Sequence, residues 1–255
     1  MFSPYESKFT PLECPAACSR DEYKLLFTLI ITVSSFSVKC LHRHKPTAGN
    51  SCSTIYLVVI YRQMRISGGT AKGRRTAPRK LLNSVSSRER LRPTSSKVRE
   101  ALFDIIRNRL PGAIFGDLYA GTGTVGLEAL SRGAKEAVFV EPDESRFRTI
   151  KHAVSRFGFG DRAHLIKGRA LEFLKRAFSE HRQLDIIFLD PPYHSEEIEK
   201  VLPMIGEGGL LSERGIVILE HFSKTKVPET SGKLKKEKSY KYGDSMLTLY
   251  RKVEI

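Results

Sequence analysis

The chain has 255 residues and carries 43 lysines and arginines against 28 acidic side chains, a formal charge of +15. All four cysteines (Cys14, Cys18, Cys40 and Cys52) lie in the first 63 residues and in no familiar zinc spacing, which excludes a disulfide-stapled scaffold for the rest and fits a reducing cytosolic setting. The basic excess is local: residues 65–110 hold a net +10, against +3 before them and +2 after.

Residues 1–63 form an unassigned N-terminal extension. Its apolar run, Leu25 to Val38, spans 14 residues and is short for a membrane crossing. Glu6, Glu13, Asp21 and Glu22 precede that run, which argues against a secretory signal. Met64 opens the patterned part of the chain, and translation is expected to start there. The alternative is a weakly ordered targeting or anchoring tail.

Residues 64–91 read as a basic, glycine-containing arm in which Arg65, Lys72, Arg74, Arg75, Arg79 and Lys80 are interleaved with Gly68, Gly69 and Gly73. A charge run is ordinarily a solvated face. A net +10 over 46 residues is better explained by phosphate neutralisation, with the arm settling adaptably on a nucleic-acid backbone. Arg65, Lys72, Arg74, Arg75, Arg92, Lys97 and Arg99 are the candidate nucleic-acid-binding residues.

A single catalytic domain is expected over residues 92–255. Val98, Ala101, Leu102, Ile105 and Ile106 recur at helical spacing, with Thr94 as N-cap and Pro111-Gly112 as the stop. Lys97 and Arg99 fall on the solvent face of that helix. Then strand and helix alternate, as in a doubly wound α/β domain. Strand 114–117 leads to helix 124–131, strand 137–140 to helix 143–157, and strand 163–166 to a helix from about 170 to 178. Strand 184–189 is followed by a helix around 196–205 and strand 216–220. A hairpin of 233–241 and 246–251, turning at Tyr242-Gly243-Asp244, closes the sheet.

Between the first strand and its helix stands Asp117-Leu-Tyr-Ala-Gly121-Thr-Gly123-Thr-Val-Gly126. Its glycines allow a tight turn and a close ligand, as in dinucleotide sites. Asp117 would repel a pyrophosphate but suits the cationic amino and sulfonium groups of S-adenosylmethionine, and Glu141 suits ribose hydroxyls. Thr94, Asp117, Tyr119, Ala120, Gly121, Gly123, Gly126, Glu141, Pro142, Arg169 and Ala170 are the candidate cofactor residues. Arg169 and Ala170 fall in the loop expected to approach the adenine.

Asp190-Pro191-Pro192-Tyr193 follows an apolar run that reads as a strand buried on both faces. It therefore sits at a carboxyl end, where open α/β sheets bind ligands. Two prolines remove donors and leave carbonyls as acceptors. A carboxylate, free carbonyls and an aromatic face suit the planar amino group of a nucleobase. All four residues are assigned to catalysis, with no metal.

These motifs, with Arg65-Ile-Ser-Gly-Gly, Arg92-Pro-Thr and the late Tyr242-Gly-Asp, resemble the bacterial small-subunit (16S) ribosomal RNA guanine-N2 methyltransferase family (RsmD-like) from Met64 to Arg251. Arg169 stands where that family often has a polar residue for the adenine. The resemblance implies the class I Rossmann-like methyltransferase fold: a seven-stranded, mostly parallel sheet with an antiparallel C-terminal hairpin and helices on both faces. It also implies S-adenosylmethionine, a ribosomal RNA or assembling-subunit partner, and a cytoplasmic enzyme, expected to be a monomer without membrane association. The alternatives are a DNA adenine-N6 methyltransferase, which shares Asp-Pro-Pro-Tyr, and a non-catalytic ribosome-assembly factor. A dehydrogenase is disfavoured by Asp117.

Overall fold

A computed structural model of the chain describes residues 64–76, 94–192 and 196–253, all within one unit, Ser51–Ile255. The extension 1–63, the whole of the arm beyond Thr76, Arg92 and Tyr193 lie outside the described residues. The elements in chain order are α1 (Ser96–Ile105), β1 (Ile114–Asp117), α2 (Thr124–Ser131), β2 (Glu136–Glu141), α3 (Glu144–Phe157) and β3 (Ala163–Lys167). They continue with α4 (Ala170–Ser179), β4 (Leu184–Leu189), α5 (Glu197–Glu207), β5 (Leu211–Phe222), β6 (Thr230–Ser231), β7 (Leu234–Tyr242) and β8 (Ser245–Lys252).

The strands form one sheet in the order β3-β2-β1-β4-β5-β8-β7-β6. The first five pair in parallel, and β8, β7 and β6 add antiparallel. Side chains alternate between two cores, the larger force holding the helices to the sheet. In β4, Ile186 and Phe188 pack under α1, α2 and α3, whereas Ile187 and Leu189 pack against α4 and α5. Each such fully buried side chain stabilises the fold by roughly 1.5–3 kcal/mol. The chain moves from β1 outward to β3 and returns to β4 on the other side of β1, so a crevice opens at the carboxyl ends of β1 and β4.

The described sheet has eight strands, not seven. The extra one, β6, is two residues folded back on β7 through Gly232 (φ 56°), too short to leave a periodic signal. Strand β5 begins earlier than expected because Leu211 pairs with Leu184 before a bulge resets the register at Ile216. Ser95, not Thr94, caps α1: its hydroxyl accepts the Val98 amide hydrogen at 3.2 Å. Arg99, expected in solvent, is 2% exposed.

The burial of Arg99 comes from the basic segment. Residues 64–76 form a docked hairpin, with an antiparallel bridge between Arg65 and Arg75 and with Met64, Ile66, Ala71 and Thr76 buried. Gly69 (φ 76°) lies so close to α2 that a Cβ there would meet the Ser131 carbonyl oxygen at 1.9 Å. Gly68 and Gly69 therefore serve close packing, whereas Gly73 (φ 80°) serves the turn, and residues 64–76 are a docked element, not an adaptable arm. Beneath the hairpin, Arg99 Nε donates to Glu128 at 2.8 Å and its Nη2 to the Arg65 carbonyl at 2.8 Å.

Candidate active site

Asp117 ends β1 on the α1 side of the sheet and is buried, its Oδ2 accepting the Gly126 amide hydrogen at 3.0 Å. Burial pushes its carboxyl up from 3.8 to about 7, opposed by that amide and reinforced by the charges of Asp190 and Glu141. A raised acid binds its proton more tightly folded than unfolded. Its contribution to stability is therefore fully present below about 3.8 and lost as pH rises through about 7. The ligand-free chain should lose melting temperature across that window, and Asp117→Asn should flatten the slope.

The loop after Asp117 is pinned by its own backbone. The Ala120 amide donates to the Val140 carbonyl at 3.0 Å, and the Gly123 amide donates to the Ala120 carbonyl at 2.6 Å. Gly121 (φ 54°) and Gly123 (φ 73°) take left-handed conformations that other residues adopt at a cost. A Cβ at Gly121 would enter open space, with the nearest atom 4.0 Å away, so the loop presents backbone to a cradle. Gly126 serves packing: a Cβ there would fall 2.3 Å from the Phe139 ring. Gly126→Ala should cost about 1–3 kcal/mol by overpacking, read as a lower urea midpoint with unchanged slope.

Glu141 ends β2 and is buried. It accepts the Gly121 amide hydrogen at 2.8 Å, the Asp143 amide at 2.9 Å and Arg146 Nε at 2.9 Å. These bonds hold the carboxylate at the rim of the cradle. Burial still raises its pKa, against the Asp143 amide, Arg146 and the Gly121 amide. The next loop reaches the same place, since the Gly168 amide donates to the Glu141 carbonyl at 3.3 Å. Arg169 is exposed there, with its amide capped by Glu172 at 3.1 Å, while Ala170 is buried and Pro142 exposed.

Asp190 follows β4 on the face it shares with Phe188 and α1. Thr94, released from capping, donates its hydroxyl to Asp190 Oδ2 at 3.3 Å. Burial raises the Asp190 carboxyl, against this hydroxyl. Pro191 is buried and Pro192 exposed. Tyr119 donates its phenol hydrogen to Glu197 at the start of α5, joining the glycine loop to the helix after the Asp-Pro-Pro-Tyr segment. Burial, then Glu197, raises the Tyr119 pKa. That partnership spans 78 positions and has no signal in the sequence.

The fold thus gathers Thr94, Asp117, Ala120, Gly121, Gly123, Glu141, Ala170, Asp190 and Pro191 at the carboxyl ends of β1 to β4. Arg65, Lys72, Arg74, Arg75 and Lys97 are exposed outside this crevice. Arg74 instead covers the Phe157 ring, 4.5 Å from its centroid at the carboxyl end of α3. Among the described residues no group of three potential ligands could hold a metal, and no helix is long and apolar enough to cross a membrane.

A five-strand parallel core with an antiparallel closing hairpin, and a glycine loop after β1, is the class I methyltransferase fold. The solved structure of yhhF from Escherichia coli matches with a TM-score of 0.61 at 27% identity, covering 74% of this chain and 98% of that one. YlbH of Bacillus subtilis is 33% identical over 189 residues, 74% of this chain and 99% of YlbH. Ribosomal RNA small subunit methyltransferase D of Haemophilus influenzae is 31% identical over 159 residues, 62% of this chain and 78% of its own length. Residues 64–251 match the model of the family described as conserved hypothetical protein 95, and the chain belongs to that family. The RsmD-like resemblance carried by the motifs is borne out.

Proposed function

We propose that this chain is an S-adenosylmethionine-dependent methyltransferase that modifies the exocyclic N2 amine of a guanine in small-subunit ribosomal RNA. The observation that carries the reading is the meeting of two motifs. The open glycine cradle with two buried carboxylates opens beside Asp190 and Pro191, in a chain whose relatives include small-subunit methyltransferase D.

The cradle fits the cofactor by the chemistry of its donors and acceptors. Asp117 faces the amino and sulfonium charges, Glu141 holds the ribose, and the Gly121–Gly123 backbone and Ala170 line the remainder, while Gly126 and Tyr119 hold the loop. Bound there, S-adenosylmethionine supplies a methyl group activated by the sulfonium.

The guanine amine is a poor nucleophile because its lone pair is delocalised into the ring. Asp190 Oδ1 and the Pro191 carbonyl each accept one N–H, which favours a pyramidal nitrogen and frees that pair. Thr94 keeps Oδ2 engaged. Alignment of amine and methyl supplies much of the acceleration, and the acceptors stabilise the positive charge developing on nitrogen. As the amine gains its methyl it becomes acidic, and Asp190, raised by burial, takes the released proton. Tyr193 stacks on the extruded base. Arg65, Lys72, Arg74, Arg75, Arg92 and Lys97 contact phosphates. Buried Arg99 supports the hairpin that carries four of them.

The test is transfer of labelled methyl to small-subunit particles and RNA from a strain lacking the activity, with nucleoside analysis. N2-methylguanosine is the expected product. N6-methyladenine in DNA would establish the adenine enzyme instead, and cofactor binding without transfer would favour an assembly role.

The Asp117 carboxyl adds a prediction on pH. Binding a cation beside it requires the anion, so cofactor affinity should rise between roughly pH 6 and 8, by up to about tenfold per unit below its pKa. Calorimetry in buffers of different ionisation enthalpy should register proton release on binding.

A further inference from the structure

We infer that Glu220 reads the target base by accepting the N1–H of guanine, and so selects guanine over bases with a lone pair at that position. The inference rests on the guanine reading above and names the residue that enforces it.

The placement comes from register. Leu189 of β4 is level with Leu219 of β5, so Asp190 and Glu220 leave adjacent parallel strands side by side, with strands about 4.8 Å apart. Phe188 and Ile218 both belong to the core under α1. Two residues on, Asp190 and Glu220 project from that same face, where Thr94 already meets Asp190. Glu220 is buried there, 3% exposed.

The strand end that carries it is held by β8, one residue beyond its last pairing with β4. Glu220 pairs with Leu247 of β8, and the next residue, His221, turns to the opposite face and bonds the Thr248 hydroxyl at 2.8 Å. A carboxylate on such a rigid platform holds a fixed direction. Burial also lowers the His221 pKa, which favours the neutral ring in that bond.

The chemistry distinguishes the bases. Guanine presents N1–H and the N2 amine as neighbouring donors, so two adjacent carboxylates can accept from both. Adenine presents a lone pair at N1, which an ionised carboxylate repels and leaves unsatisfied. The pair formed by Asp190 and Glu220 therefore recognises the edge of guanine, while Asp190 alone would bind any amino group.

The decisive substrate is an RNA in which 2,6-diaminopurine replaces the methylated guanine. It keeps the 2-amine that accepts the methyl but carries a lone pair at N1. The native chain should prefer guanine by on the order of 10²-fold in kcat/KM, the scale of a lost base-edge contact. Glu220→Gln can donate to that lone pair, and should narrow the preference to within about tenfold, chiefly by slowing guanine. Its cofactor affinity should be unchanged by calorimetry, which separates base reading from a general disturbance of the fold.

A native chain that methylates both bases equally would overturn the inference whether or not the variant folds. An unchanged preference in a folded Glu220→Gln variant would do the same. Absence of N2-methylguanosine from the native chain on natural RNA would instead remove the guanine reading beneath it, a distinguishable failure.

Discussion

Asp190→Ala should lower methyl transfer by roughly 10²–10³-fold, the scale for removing one group aimed at a charge that develops in the transition state. Cofactor affinity should stay within about threefold of the native chain, since Asp190 belongs to the strand beside the cradle and not to the loop that forms it. Removing Asp190 also relieves repulsion on Asp117, whose pKa its charge raises. The Asp117 carboxyl should then ionise more readily, and the pH at which cofactor affinity levels off should move down. Asp190→Asn is the sharper variant. It keeps the shape and the Thr94 contact, but turns one arm of the carboxylate into a donor facing the donor amine. Full turnover in either variant would remove Asp190 from the chemistry. Loss of cofactor binding with the fold intact would assign the carboxylate to the cradle.

The parts of this site that were legible in the sequence are those whose signals are local. The run Ile186-Ile187-Phe188-Leu189 announces a strand buried on two faces, and a buried parallel strand places Asp190 at a ligand-binding edge without knowledge of its neighbours. The loop from Asp117 to Gly126 is equally self-contained, because its left-handed turns need glycine wherever the rest of the chain lies. Ser95 and Thr94 could each cap α1, and only the position of Asp190 decides which hydroxyl is used elsewhere. Arg99 was illegible for a different reason. Helical spacing describes one face of α1, but the docked hairpin covers a second face, and no pattern within α1 encodes that contact. Glu220 closes a buried apolar strand as Glu141 does, a signal of the same kind that gains meaning only once β5 is known to lie beside β4.

Glu128→Gln should destabilise the chain by about 3–5 kcal/mol, the cost of leaving one member of a buried ion pair uncompensated. Glu128 is 0% exposed and holds Arg99 Nε at 2.8 Å, Arg132 Nη2 at 2.7 Å and the Ser67 amide at 3.2 Å, with the Ser67 hydroxyl also donating to it. The isosteric amide keeps the volume but removes the charge that balances the buried guanidinium, and its NH2 group opposes the surrounding donors. The two arginines should respond unequally. Arg132 is a quarter exposed and can turn to water, so Arg132→Ala should cost about 1 kcal/mol or less. Arg99→Met removes charge and demand together on one side only, leaving Glu128 with its other donors, and should fall between the two. Urea unfolding of the three variants and of Arg99→Met with Glu128→Leu would test this order, and the double variant should recover much of the loss because neither charge remains buried. Because Ser67 and the Arg65 carbonyl hang on this cluster, Glu128→Gln should also loosen the hairpin bearing Arg65, Lys72, Arg74 and Arg75. RNA affinity should then weaken more than cofactor affinity at temperatures where the variant remains folded. A Glu128→Gln midpoint matching the native chain would show that the hairpin is held by Met64, Ile66 and Ala71 alone, with the ion cluster adding nothing to its docking.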